Sequence, residues 1–69
     1  MNVTQLETAA KSDDPEVGFR AVAALRRLAD ELEERNVGRA RRQGWSWEQI
    51  GDALGISRQA AHKKHRRTW

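Results

Sequence analysis

The chain of 69 residues has no cysteine and no tyrosine, and a single proline and a single phenylalanine. Without cysteine there is no disulfide and no thiolate metal site, so a chain this small must draw stability from a compact core, self-association or both. No apolar run approaches the roughly 18 residues that a membrane span requires. The segment MNVTQLETAAKSDD lacks both the basic start and the apolar middle of a secretory signal, so a cytoplasmic location is expected and no membrane partner. No glycine-rich phosphate loop and no nucleophile motif is present, and nothing points to an enzyme or a cofactor. His62 and His65 lie three apart, but no carboxylate or thiol adjoins them in sequence to complete a metal site. The sequence gives no sign of a ligand pocket.

Acids are scarce in the second half. From Met1 to Val37 there are five Lys/Arg against eight Asp/Glu, a balance of −3; from Gly38 to Trp69 there are eight against two, a balance of +6, and the two sum to the net +3 of the chain. Such sorting suits a basic half that meets a polyanion and an N-terminal half with another task.

The most informative stretch is WSWEQIGDALGISRQAAHKKHRR, from Trp45 to Arg67. Ser46 can cap a helix whose apolar residues Trp47, Ile50 and Leu54 recur at steps of three and four. Gly55 can stop that helix at positive φ, and Ile56 is suited to plugging the corner. Ser57 can cap a second helix, with Ala61 and His65 inward. Gly51 inside the first helix costs stability there, which suggests that the second helix passes close by. Two short helices joined in this way form a helix-turn-helix pattern, with helices over about 47–54 and 58–67.

Upstream, Asp14-Pro15-Glu16 is a helix start: a capping carboxylate, a proline in the first turn and an acid favoured by the helix dipole. The run that follows is rich in Ala, Leu, Arg and Glu and predicts helix from Pro15 to about Gln43, straight or bent near Val37-Gly38, with Gly44 just past its end. Val22, Leu25, Ala29 and Leu32 form an apolar stripe, widened by Phe19 and Leu28; Arg20, Arg27, Asp30, Glu31 and Glu34 take the other face, where Arg27 and Glu31 can pair. The region of Val37, Ala40 and Gln43 can supply the third helix of a trihelical core. The stripe Phe19, Val22, Leu25, Leu28, Ala29 and Leu32 then lacks a partner within the chain. A second copy is the expected cover, giving a homodimer; the alternative is that residues 1–11 fold back over it. Residues 1–14 fit either a short helical arm capped by Thr4 or a frayed terminus. One or both of Trp45 and Trp47 are expected against the long helix. Trp69 has no assigned role.

The fold class expected is therefore all-α, a long N-terminal amphipathic helix followed by a trihelical-type helix-turn-helix. On the second helix of the motif the outward residues are Arg58, Gln59, His62 and Lys63. Gln59 can offer a donor and an acceptor to adenine N6/N7, and Arg58 two donors to guanine O6/N7, while His62 and Lys63, a turn deeper, are second-tier candidates for base or phosphate; these four are the candidate base readers in a DNA major groove. Ser57, Lys64, Arg66, Arg67 and the cluster Arg39, Arg41 and Arg42 suit phosphate contacts, which add affinity without sequence information.

The segment from Trp45 to Arg67, with its run I-G-D-A-L-G-I-S-R, resembles the helix-turn-helix of sigma-70 region 4 and of serine-recombinase C-terminal domains. With the preceding AVAALRRLADELEERN it is similar to small actinobacterial helix-turn-helix proteins, a resemblance covering about Asp14 to Arg67. It implies transcription-type binding of double-stranded DNA, with Ser57, Arg58, Gln59, His62 and Lys63 at recognition-helix positions, and a nucleoid-associated place in the cytoplasm. Neither a recombinase catalytic domain nor other sigma regions accompany the motif, which leaves a stand-alone binder. A non-specific nucleoid-type binder, or an adaptor that docks on a protein such as polymerase through the 19–32 stripe, are the alternatives.

Overall fold

The computed structural model describes residues 2–67 and contains four helices: α1 (Val3–Ala10), α2 (Pro15–Arg42), α3 (Trp47–Leu54) and α4 (Arg58–His65). Among the described residues there is no strand. The chain is all-α.

Residues up to Glu31 form one compact unit and those from Leu32 onward a second, with the division inside α2. In the first unit the cap of α1 lies two residues before the expected one. Asn2, not Thr4, is the N-cap: its Oδ1 accepts the Gln5 N–H at 2.8 Å while Gln5 Oε1 accepts the Asn2 N–H at 2.9 Å. Asparagine is the stronger cap, and the earlier start satisfies two orphan donors reciprocally. Asp14 opens α2 as expected, its Oδ1 accepting the Glu16 N–H at 3.0 Å. On α2 Glu16 and Arg20 form a one-turn ion pair at 2.9 Å.

Burial in the first unit redistributes the apolar stripe. Leu6 of α1 is buried, as are Gly18 and Ala21 of α2, and a Cβ on Gly18 would touch the Ala10 carbonyl oxygen at 3.5 Å. Val22, Leu25 and Leu28 are half-buried. Phe19 is 74% exposed and Ala29 is exposed; Leu32, where the second unit begins, is 48% exposed. Phe19 lies one residue from Gly18, about 100° around the helix from the side that α1 approaches, which is why it does not join the covered set.

In the second unit α2 continues unbroken through Gly38, which is buried, and ends at Arg42. It closes with a left-handed glycine: Gly44 has φ 88°, its N–H bonds the Arg41 carbonyl at 3.0 Å, and the Trp45 N–H bonds the Ala40 carbonyl at 2.9 Å. That pair of bonds is a Schellman closure. α3 ends the same way at Gly55 (φ 77°), with the Ile56 N–H on the Gly51 carbonyl at 2.9 Å. Ser46 caps α3 in a capping box with Gln49, and Ser57 caps α4 by accepting the Ala60 N–H at 3.0 Å.

Three helices contribute one residue each to the core: Val37 from α2, Ile50 from α3 and Ala61 from α4, with Ala40 and Trp47 packed against them. Gln43, expected beside them, is exposed. Leu54 and Ile56, expected inward, are 38% and 37% exposed. Both sit at the end of α3, where two helical turns have carried the chain past the small core, so neither is fully buried. Gly51 makes the tight join between α3 and α4 possible. A Cβ there would lie 2.8 Å from the Ile56 oxygen and 3.1 Å from the Ser57 carbonyl carbon and oxygen, all backbone atoms. α4 stops at His65, short of the expected Arg67; Arg66 and Arg67 follow in a turn. Continuing would stack Lys63, Lys64, Arg66 and Arg67 at three- and four-residue spacing, where like charges oppose a helix.

Candidate nucleic-acid interface

α4 divides its residues cleanly. Ala61 is completely buried and His65 nearly so, while Arg58, Gln59, His62 and Lys63 are all exposed. Three of the four candidate base readers, Arg58, Gln59 and His62, line one hollow whose fourth wall is Trp47 of α3. Lys63 is on α4 outside that lining.

Trp47 is the unforeseen member of this group. The expectation of packing on the long helix holds, since its ring touches the Val37–Ile50–Ala61 cluster. It is also held from two other directions. The Arg41 guanidinium carbon lies 4.8 Å from the ring centroid, and the His62 ring centroid is 5.2 Å away with the planes tilted by 58°. Arg41 further donates from Nη1 to the Trp45 carbonyl at 2.7 Å. This cation is thus seated on an aromatic face and on backbone, where it stabilises the entry to α3 as well as adding positive potential. The clue in the sequence is that Arg41 and Trp45 are four apart, spanning the Gly44 turn.

The remaining candidate phosphate contacts are dispersed. Ser57 uses its oxygen as a cap acceptor and keeps its hydroxyl hydrogen to donate. Arg39 is exposed, as are Arg42, Arg66 and Arg67. Lys64 is paired instead: its Nζ lies 2.9 Å from Glu33 Oε2. The same oxygen accepts from His65 Nε2 at 2.7 Å. Burial pulls the Glu33 carboxyl upward, but hydrogen bonds from Lys64 and His65, with the electrostatic attraction of the same two side chains, outweigh it and hold the carboxyl below its ordinary range. An ionised carboxylate only accepts, so His65 donates through Nε2. His65 is the satisfied structural histidine that its inward position suggested. Its partner was missed, although Glu33 sits one turn before Val37 on the inward side of α2, where an acid needs a cation.

A second concavity in this unit is apolar. Val37, Ala40, Trp45, Ile50, Ala53 and Leu54 line an open groove, with Glu33 and Arg39 among its other lining residues. It arises from the partial exposure of Leu54 and Trp45 at two helix ends, which no local sequence pattern marks. Among the described residues no group of three or more His, Cys, Asp or Glu gathers to hold a metal, and no helix is long and apolar enough to cross a membrane. Comparison with protein-family models, with curated proteins and with solved structures finds nothing that matches this chain.

Proposed function

We propose that the chain binds double-stranded DNA sequence-specifically, as a transcriptional regulator of the helix-turn-helix kind, with α3 and α4 forming the motif and α4 entering the major groove. The observation that carries this is the grouping of Arg58, Gln59 and His62 around one hollow on the outer side of α4, opposite Ala61 and His65. A helix whose inner side is fixed by a core and whose outer first turns present an Arg and a Gln has the chemistry for base edges. The +6 balance from Gly38 onward supports it by supplying the phosphate term. The protein acts as a homodimer, the second copy covering what α1 leaves open, above all Phe19 and Leu32. On one DNA face two such units read half-sites whose centres are about 34–36 Å apart or a multiple of that.

The test is a gel-shift series on a selected duplex and on random duplexes with rising salt. Preference for the selected duplex is expected, on top of a steep salt dependence. No binding to any duplex at low salt overturns the proposal. Equal binding to all duplexes replaces it with a non-specific architectural binder. The exposure of Phe19 favours one further reading, an adaptor that docks on another protein such as polymerase through this face.

A further inference from the structure

We propose that a second copy of this chain docks on the apolar groove beside α2, with the two α2 helices antiparallel and crossing at Asn36. The proposal rests on the homodimer reading above and not on DNA binding. Leu32, Asn36, Ala40 and Gln43 follow one another at steps of four, four and three, so they share one side of α2 within about 80° of arc. That side is open: Leu32, Asn36 and Gln43 are exposed and Ala40 is half-buried. The groove runs along it, with Asn36, Ala40 and Gln43 in its lining together with Trp45 and Leu54. All of these residues belong to the second unit.

Charge selects the occupant. Four of the five residues from Asp30 to Glu34 are acidic, three of the four from Arg39 to Arg42 are basic, and Asn36 lies midway between the two blocks. Parallel copies set acid against acid and base against base. Antiparallel copies crossing at Asn36 set each acidic block against the basic block of the other. The same crossing brings Leu32 of the second copy level with Ala40, a large side chain against a small one at the groove, and symmetry repeats the contact. Asn36 then faces its own copy. Its Nδ2 donates to the Leu32 carbonyl at 2.9 Å, which leaves a second N–H and Oδ1 for a reciprocal amide pair. A polar residue at such a position fixes the register of two helices at some cost in stability. Phe19 lies outside this contact.

The chain has no cysteine, so introduced thiols report the crossing without background. Helix axes about 8–10 Å apart bring facing Cα atoms at the crossing to about 4–5 Å, which a disulfide spans. Asn36→Cys should therefore form a disulfide-linked dimer on mild oxidation of the full chain. Leu32→Cys alone should not, because antiparallel copies hold the two positions about 12 Å apart along the helix, but mixed with Ala40→Cys it should yield the mixed dimer. In the chain without cysteine, Leu32→Asp should weaken dimerisation at least about tenfold in sedimentation equilibrium, the loss expected for one buried leucine. Added to Asn36→Cys it should cut the linked fraction as strongly. Linkage that Leu32→Asp leaves unchanged is collisional and overturns the inference. A native dimer that links through Leu32→Cys alone, or fails to link through Asn36→Cys, also overturns it and leaves the homodimer standing. A native chain that stays monomeric at every concentration measured overturns both.

Discussion

At the scale of single residues, Gly51 and Gln59 carry opposite lessons. Glycine inside a helix costs up to about 1 kcal/mol relative to alanine, so propensity alone says that Gly51→Ala stabilises. The structure says otherwise, because the new methyl would stand 2.8 Å from one backbone atom and 3.1 Å from two more, none of which can swing aside. Overpacking of this kind costs roughly 1–3 kcal/mol, and a lower urea midpoint for Gly51→Ala is the expected result; a raised midpoint would mean that α4 passes farther off. Gln59, by contrast, faces solvent, and its substitution should leave stability unchanged. Under the proposed function, Gln59→Ala relaxes preference at one base pair at a cost of roughly 1–3 kcal/mol, while Arg66→Ala weakens all duplexes alike and flattens the salt slope. Titrations of both variants over several duplexes and salt concentrations separate the two. Indistinguishable behaviour would mean that the reading side of α4 is misassigned.

At the scale of elements, the helix limits were largely legible because punctuation marks them: Asp14-Pro15, Gly44, Ser46, Gly55 and Ser57 all act where their chemistry places them. Less legible was what ties one element to another across the chain. The hydrogen bond from His65 to Glu33 joins α4 to α2 over a separation that no local pattern encodes. It gives a pH dependence with a definite sign. Because the folded carboxyl sits below its ordinary value of 4.5, the stabilisation is fully present above that value and disappears as pH falls through the lower folded one. Urea unfolding of the native chain should therefore weaken on acidification below about pH 4.5, and Glu33→Gln should show less of that fall. The variant should also lose roughly 1–3 kcal/mol at neutral pH, since buried His65 then has a poorer acceptor. A variant with the native acid limb would place the pH dependence elsewhere.

At the scale of the whole molecule, the question is what covers the apolar residues that the chain leaves exposed. Periodicity identified Phe19, Val22, Leu25, Leu28, Ala29 and Leu32 as one stripe but could not say which of them the chain leaves exposed. Leu25 is now half-buried in its own unit, so a charge there tests folding as much as association. Phe19→Asp combined with Leu32→Asp is the cleaner probe, since both side chains are more exposed than Leu25. Under the proposed dimer, sedimentation or light scattering should report half the native mass for the double variant, with helix content by circular dichroism unchanged. A native chain already monomeric at micromolar concentration would favour the adaptor reading.

The core cluster also has a kinetic consequence. Val37, Ile50 and Ala61 all lie on one short stretch of chain, and the two turns between them are closed by glycines already suited to their conformations. Little loop entropy has to be lost before these contacts form, which places the second unit among fast-folding helical topologies, in the microsecond to millisecond range. A core with so few members forms quickly and also opens readily. The helix proposed to read DNA is therefore attached to a unit whose persistence depends on frequent, rapid re-formation more than on a high barrier to opening.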